Sequence, residues 1–297
     1  MKTAKIAKII GRALGRTLLY ALTLFIAWAL ASRLVGVRSP GNPQEALKKV
    51  EGLLWLCLSN GALFAYLVER TRWRGWKLFG GVFLLHYGIQ TFMSQIETVA
   101  FNGALHIPAR EIGSFFLTGL IVSLLFAPVV ALTGPRTNEE ANSTGWNAIL
   151  WKIACLAPFY LFVYCFFGYF VAWQWVDARL FYSGSAEMLS FFGQWGKSFQ
   201  EMPFLPFFQV LRGLMWAGLG FLGVRMTRAK GWEASLQVGL TMGLLLATPL
   251  FIPNPYMPDG VRVAHFWELT SSMIYFGWVA AWLFLRAPKR EAVLSPT

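Results

Sequence analysis

Ala264-His-Phe-Trp-Glu268-Leu-Thr-Ser-Ser272-Met-Ile-Tyr275-Phe-Gly-Trp-Val-Ala-Ala-Trp-Leu-Phe-Leu285 decides the fold. A membrane helix needs about 20 largely apolar residues, and this run supplies them while carrying His265, Glu268, Ser271, Ser272 and Tyr275. At about 100° per residue, His265, Glu268, Ser272 and Tyr275 fall on one arc of roughly 80°. Lipid offers such groups no hydrogen-bond partner, so the stripe is expected to face protein or water. An ionisable stripe inside a span is by default a functional-site hypothesis. A rigid turn, Pro253-Asn-Pro-Tyr-Met-Pro258-Asp-Gly-Val-Arg262, delivers the chain into it.

Outward from this run, seven more stretches qualify: 17–34, 52–68, 78–98, 112–133, 148–176, 205–224 and 234–252, with 264–285 as the eighth. Of the 297 residues 56% are hydrophobic and only 13% charged, too few polar side chains to cover a water-facing surface. The expected fold class is all-α: a polytopic membrane bundle of about eight helices in a single domain, 1–297. The net charge of +12 sits mostly in short loops between the apolar runs. There it reads as a topology signal and as contact with the lipid bilayer's headgroups, not as a nucleic-acid surface.

With the N-terminus inside, seventeen Lys and Arg fall in cytoplasmic segments and eight opposite, among them Arg33, Arg38, Arg110 and Arg262. Both termini are therefore expected in the cytoplasm. The first span has a second reading, a cleaved secretory signal ending at Ala29-Leu-Ala31. The segment before it, with Ile6, Ile9, Ile10 and Leu14 between basic residues, suits an amphipathic helix along the headgroups. Tryptophans such as Trp73, Trp76, Trp232 and Trp267 mark span edges. Gly239-x-x-x-Gly243 allows close helix packing, within the chain or across a dimer. Pro128, Pro158 and Pro249 are expected to kink their helices. The second half loosely echoes the first, with Ile107-Pro108 and Met257-Pro258 in matching outer loops, as a parallel four-plus-four repeat would.

The third span carries His86, Gln90, Ser94 and Glu97, with His86, Gln90 and Glu97 within about 40° on an ideal helix. The sixth carries Gln209, Arg212 and Trp216 on one face. On the expected topology Glu97, Arg212, His265 and Glu268 share the outer leaflet, with Asp177, Asp259 and Arg262 at similar depth and no comparable group in the inner half. The expectation is one polar pocket open to the outer face, with His86 as its floor and a carboxylate in reach of Arg212.

Three readings fit those residues. The pairs can simply hold the bundle together. They can form a permease-like site for a small polar or anionic solute or a proton pathway, built from Glu97, Arg212, His265, Glu268, Gln209, His86 and Gln90. Or Glu268 or Glu97 can serve as general base with His265 or His86, Arg212 neutralising a phosphate or carboxylate of a periplasmic or lipid-linked substrate. No cofactor fingerprint, P-loop or GxSxG elbow occurs, and no metal-ligand motif. Cys57, Cys155 and Cys165 lie in apolar runs without CxxC spacing and read as small buried hydrophobes.

Gln90-Thr-Phe-Met-Ser-Gln-Ile-Glu97, Phe170-Val-Ala-Trp-Gln174 and Pro253-Asn-Pro-Tyr-Met-Pro258 followed by His265 resemble segments of a family of bacterial multi-pass inner-membrane proteins. The resemblance implies a bacterial inner membrane and carries no activity, cofactor or residue role.

Overall fold

The computed structural model describes residues 2–37, 42–135 and 146–286. Arg38, Arg136, Lys289 and Arg290, counted in the charge balance above, lie outside them. Twelve helices follow one another among the described residues: α1 (Lys2–Val35), α2 (Pro43–Arg70), α3 (Gly75–Leu85), α4 (Ser94–Ala100), α5 (Asn102–Leu105), α6 (Ala109–Leu132), α7 (Trp146–Phe170), α8 (Val176–Ser183), α9 (Phe191–Glu201), α10 (Leu205–Met226), α11 (Gly231–Ala247) and α12 (Asp259–Leu285). No strand occurs among them. Seven helices are long and apolar enough to cross a membrane, the signature of an integral, multi-pass membrane protein.

The remaining expected span is a composite. A π-helical segment, His86–Met93, joins α3 to α4 without a break. It starts at the bundle end where α10 finishes and reaches the level of Arg212, about 21 Å back along α10 at 1.5 Å per residue. At the start of the chain α1 runs from Lys2 to Val35, with Ile10–Val35 as its membrane-length apolar part. Pro128 and Pro158 sit inside unbroken helices, whereas Pro249 turns the end of α11 into a 3₁₀ turn, Thr248–Phe251.

The repeat faintly visible in the outer loops is far clearer at the opposite end. Thr71-Arg-Trp-Arg-Gly-Trp76 and Thr227-Arg-Ala-Lys-Gly-Trp232 form matching turns between consecutive helices. Each puts a glycine in the left-handed region, Gly75 at φ 52° and Gly231 at φ 56°, where a side chain is strained. The turns grip each other reciprocally. The Arg72 amide donates to the Met226 carbonyl at 2.8 Å, and the Arg228 amide to the Arg70 carbonyl at 2.7 Å. The Thr71 hydroxyl donates to the Met226 carbonyl, the Thr227 hydroxyl to that of Arg70, and each hydroxyl also receives an amide two residues on.

Other features recur in the same order along each half. Arg16 of α1 donates to the Thr133 carbonyl that closes α6. Lys152 of α7 likewise donates to the Arg286 carbonyl that closes α12, at 2.7 Å. Such cations satisfy carbonyls that a helix end leaves unpaired. Gly61 of α2 lies against the backbone of α1 at Thr17 and Ala21, and Gly213 of α10 against that of α7 at Ala157. The chain is thus two similar four-helix units, α1/α2/α3–α4/α6 and α7/α10/α11/α12. The second alone carries a long insertion between its first two helices, which folds as α8 and α9.

Gly239 and Gly243 serve packing within the chain. A methyl group on Gly239 would meet the Ile274 carbonyl at 2.6 Å, and one on Gly243 the Thr270 carbonyl at 2.8 Å, so α11 and α12 touch backbone to backbone.

Candidate functional site

Arg212 sits on α10, where its side chain is wholly buried. Burial of a guanidinium demands saturated partners, and α4 supplies most of them. Nη1 and Nη2 donate to the two oxygens of Glu97 at 2.7 and 2.8 Å, a bidentate fork. Gln209, one turn earlier, accepts at 2.9 Å, and the Met93 carbonyl lies at 3.5 Å. The rings of Tyr160 and Phe208 flank the guanidinium, each centroid 5.7 Å away. Glu97 belongs to the first unit and Arg212 to the second, so the fork bolts the units together. The Arg212 Nε and the Gln209 side-chain nitrogen have no hydrogen-bond partner among the described residues.

On α12 the i, i+3 spacing stacks His265 over Glu268, and Nδ1 meets the carboxylate at 2.8 Å. The other ring nitrogen, Nε2, lies 2.9 Å from the hydroxyl of Tyr182, which α8 brings from the insertion. With Nδ1 donating to the carboxylate, neutral His265 accepts from Tyr182 at Nε2. Trp173 stacks on Tyr182 at 6.4 Å. The result is a carboxylate–imidazole–phenol chain. Tyr160 of α7 links α12 to the fork, its ring centroid lying 5.7 Å from the Arg212 guanidinium and 5.4 Å from that of Phe276 on α12.

His86 and Gln90 do not join this cluster, and the single pocket with His86 as its floor is corrected accordingly. The 40° arc assumed 3.6 residues per turn, but His86–Met93 is π-helical, and its wider i→i+5 turn rotates these residues away from Glu97. His86 bonds Ser123 of α6 at 2.8 Å between the rings of Phe64 and Phe126. Gln90 accepts from Asn60 of α2 at 2.5 Å, and Asn60 accepts from Thr248 at 3.0 Å. Asp259 pairs with Arg262 at 2.6 Å, and Asp177 rests against Gly260, so these acids serve the start of α12.

The half of the bundle nearer the paired turns, where no comparable ionisable group was expected, carries buried amide and hydroxyl groups. Gln237, buried on α11, binds Thr227 and approaches the Leu67 carbonyl at 3.5 Å. Gln237, Thr241 and Thr248 lie within about 40° on their helix. A polar seam therefore runs between the units, from the turn at Thr227 through Gln237 and Thr241 to Thr248, Asn60 and Gln90, then past Met93 to the fork. Asn60, a lone amide in an apolar run, was a readable signal of it. Tyr182 was not, since nothing local to its eight-residue helix marks it. Comparison of the chain with protein-family models, curated proteins and solved structures finds no match.

Proposed function

We propose that the protein is a permease-like carrier of a small polar or anionic solute, whose two units form the walls of the path. The polar seam between them carries this reading. Parallel repeats with a polar interface near the midplane are a recurrent transporter plan. The Glu97–Arg212 fork, crossing from one unit to the other, acts as its outer closure, and on the charge balance that end faces away from the cytoplasm of a bacterial inner membrane. An anionic solute would compete with Glu97 for Arg212.

The test is reconstitution in proteoliposomes, with charge displacement on a supported membrane read for a panel of amino acids, carboxylates and phosphorylated sugars. Asn60→Leu and Gln237→Leu are expected to abolish the current that wild type gives while the protein remains folded. A panel without any current, or currents indifferent to both substitutions, would sink the reading.

The Glu268–His265–Tyr182 chain favours a second reading, acid–base chemistry on a periplasmic or lipid-linked substrate. In that case His265→Gln abolishes turnover and leaves solute movement absent in every variant.

A further inference from the structure

At the bundle end that carries the paired turns, two grooves flank Lys230-Gly231-Trp232. One, of about 240 Å³, is walled by Trp232, Trp278 and Trp282, with Ser235 at its base and Arg286 at its rim. The Arg286 guanidinium lies 3.6 Å from the centroid of the Trp282 ring. The other, of about 340 Å³, is bounded by Arg70, Arg228, Lys230 and Glu233. Some of this charge is engaged: Arg70 pairs with Glu233 at 2.7 Å, and Arg228 donates to the Glu69 carbonyl at 2.8 Å. Lys230 and Arg286 are exposed. Trp278 lies eight residues before the close of α12, so the aromatic wall extends about 12 Å into the membrane from the helix ends.

Interfacial tryptophans and basic loops occur in any membrane protein, and the repeat provides the control. The first unit has the same turn and the same exposed tryptophan, Trp76. Counted back from its own helix end, however, α6 places Leu125 and Val129 where α12 has Trp278 and Trp282. Where α12 ends in Arg286, α6 ends in Thr133, whose hydroxyl is bonded to Tyr20. An aromatic slot with a cationic mouth was therefore built in one unit on a scaffold that does not require it.

We propose that this slot holds one anionic phospholipid, its phosphate against Arg286 at the rim, the upper part of an acyl chain along Trp232, Trp278 and Trp282, and Lys230 of the neighbouring groove, next to Gly231, adding positive charge at the mouth. Charge complementarity selects the headgroup, and a dry aromatic wall at hydrocarbon depth selects a chain. The site is independent of the seam and of what the seam carries.

Native mass spectrometry of the purified full chain in detergent tests it, with phosphatidylglycerol and phosphatidylcholine of identical chains as probes. Wild type is expected to retain one phosphatidylglycerol and to release phosphatidylcholine. Lys230→Gln with Arg286→Gln should weaken retention about tenfold or more, given about 1 kcal/mol per basic residue at a headgroup. Trp278→Leu with Trp282→Leu should weaken it comparably, the Phe pair should largely preserve it, and Trp76→Leu with Lys77→Gln should leave it unchanged. Unfolding curves of each variant separate lost binding from lost structure. Excess inorganic phosphate should not displace the lipid. Equal retention of both lipids, equal loss in the first-unit variant, displacement by phosphate, or binding only after removal of residues 287–297 would each overturn the proposal.

Discussion

The two four-helix units share their framework and differ in their chemistry. Shared are the Thr-Arg turns with left-handed glycines, the cations that close the fourth helix and the glycine of the second helix lying on the first. These features satisfy backbone groups and permit close approach, the requirements of any helix bundle in lipid. The ionisable groups of the fork and of the His265 chain are not shared. Arg212, His265 and Glu268 belong to the second unit, Glu97 to the first, and no counterpart occupies the matching position of the other unit. Tyr182 arrives on an insertion that only the second unit has. What recurs explains why the chain folds, and what departs from the repeat is where function is to be sought.

The largest effect should come from the glycine that brings α11 against α12 in the second unit. Gly239→Leu forces a side chain into the Ile274 carbonyl, backbone that cannot move aside, and should prevent folding. Gly218 of α10, which has open space around it, should accept alanine with little change. Unfolding in mixed micelles measures both, and equal sensitivity of the two sites would mean that the contact between α11 and α12 is not a determinant.

Next comes the fork between the units. Glu97→Gln strands a wholly buried guanidinium and should cost about 3–5 kcal/mol. Arg212→Met leaves a carboxylate whose side chain keeps 24% exposure and should cost less. The double variant should recover most of the loss, and the coupling should be absent between Arg212→Met and Glu268→Gln, whose direct partners differ. If the double variant is as unstable as the sum of its parts, the fork does not bind the units.

Much of the framework was legible because it is written in local chemistry. Apolar run lengths gave the spans, and Gly239-x-x-x-Gly243 marked a close helix contact without saying which helix it meets. The repeat was faint because apolar spans resemble one another in any membrane protein. Its signature lies in a six-residue turn, Thr71–Trp76 against Thr227–Trp232, that hydropathy does not weigh. The site was half legible. Arg212 was expected to have a carboxylate in reach, by the cost of stranding it, but Glu97 was not singled out among the acids at that depth. His265 was joined to Glu268 by helical spacing. His86 and Gln90 were misplaced because one π-helical segment breaks the assumed angle. Asn60 and Thr248 are 188 residues apart, and no periodicity relates them.

A smaller effect tests whether the paired turns are equivalent. Thr71→Val removes one hydroxyl contact with the opposite turn and should cost about 1 kcal/mol. Thr227→Val should cost more, because it also strands the buried side chain of Gln237, where the seam begins. Equal losses would show that Gln237 finds another partner.

The smallest effect lies in the loops that precede the fourth helix of each unit. Tyr256 of the second donates its hydroxyl to Glu111 in the first turn of α6, whereas the matching loop residue His106 contacts only its own segment, at Ala104. Hydrogen bonding to the Glu111 carboxylate, with some burial and its negative charge, pushes the Tyr256 phenol up to about 12. A free tyrosine ionises near 10, so the contact favours the folded protein fully below about pH 10. That contribution disappears as pH rises through about 12. Near-ultraviolet titration of wild type minus Tyr256→Phe should therefore show a midpoint about two units above the free value, returned towards 10 by Glu111→Gln. His106→Ala should move neither the titration nor the unfolding curve. A midpoint near 10 in wild type would mean that the two units are not latched at this face, leaving the Glu97–Arg212 fork as the contact that any outer opening must break.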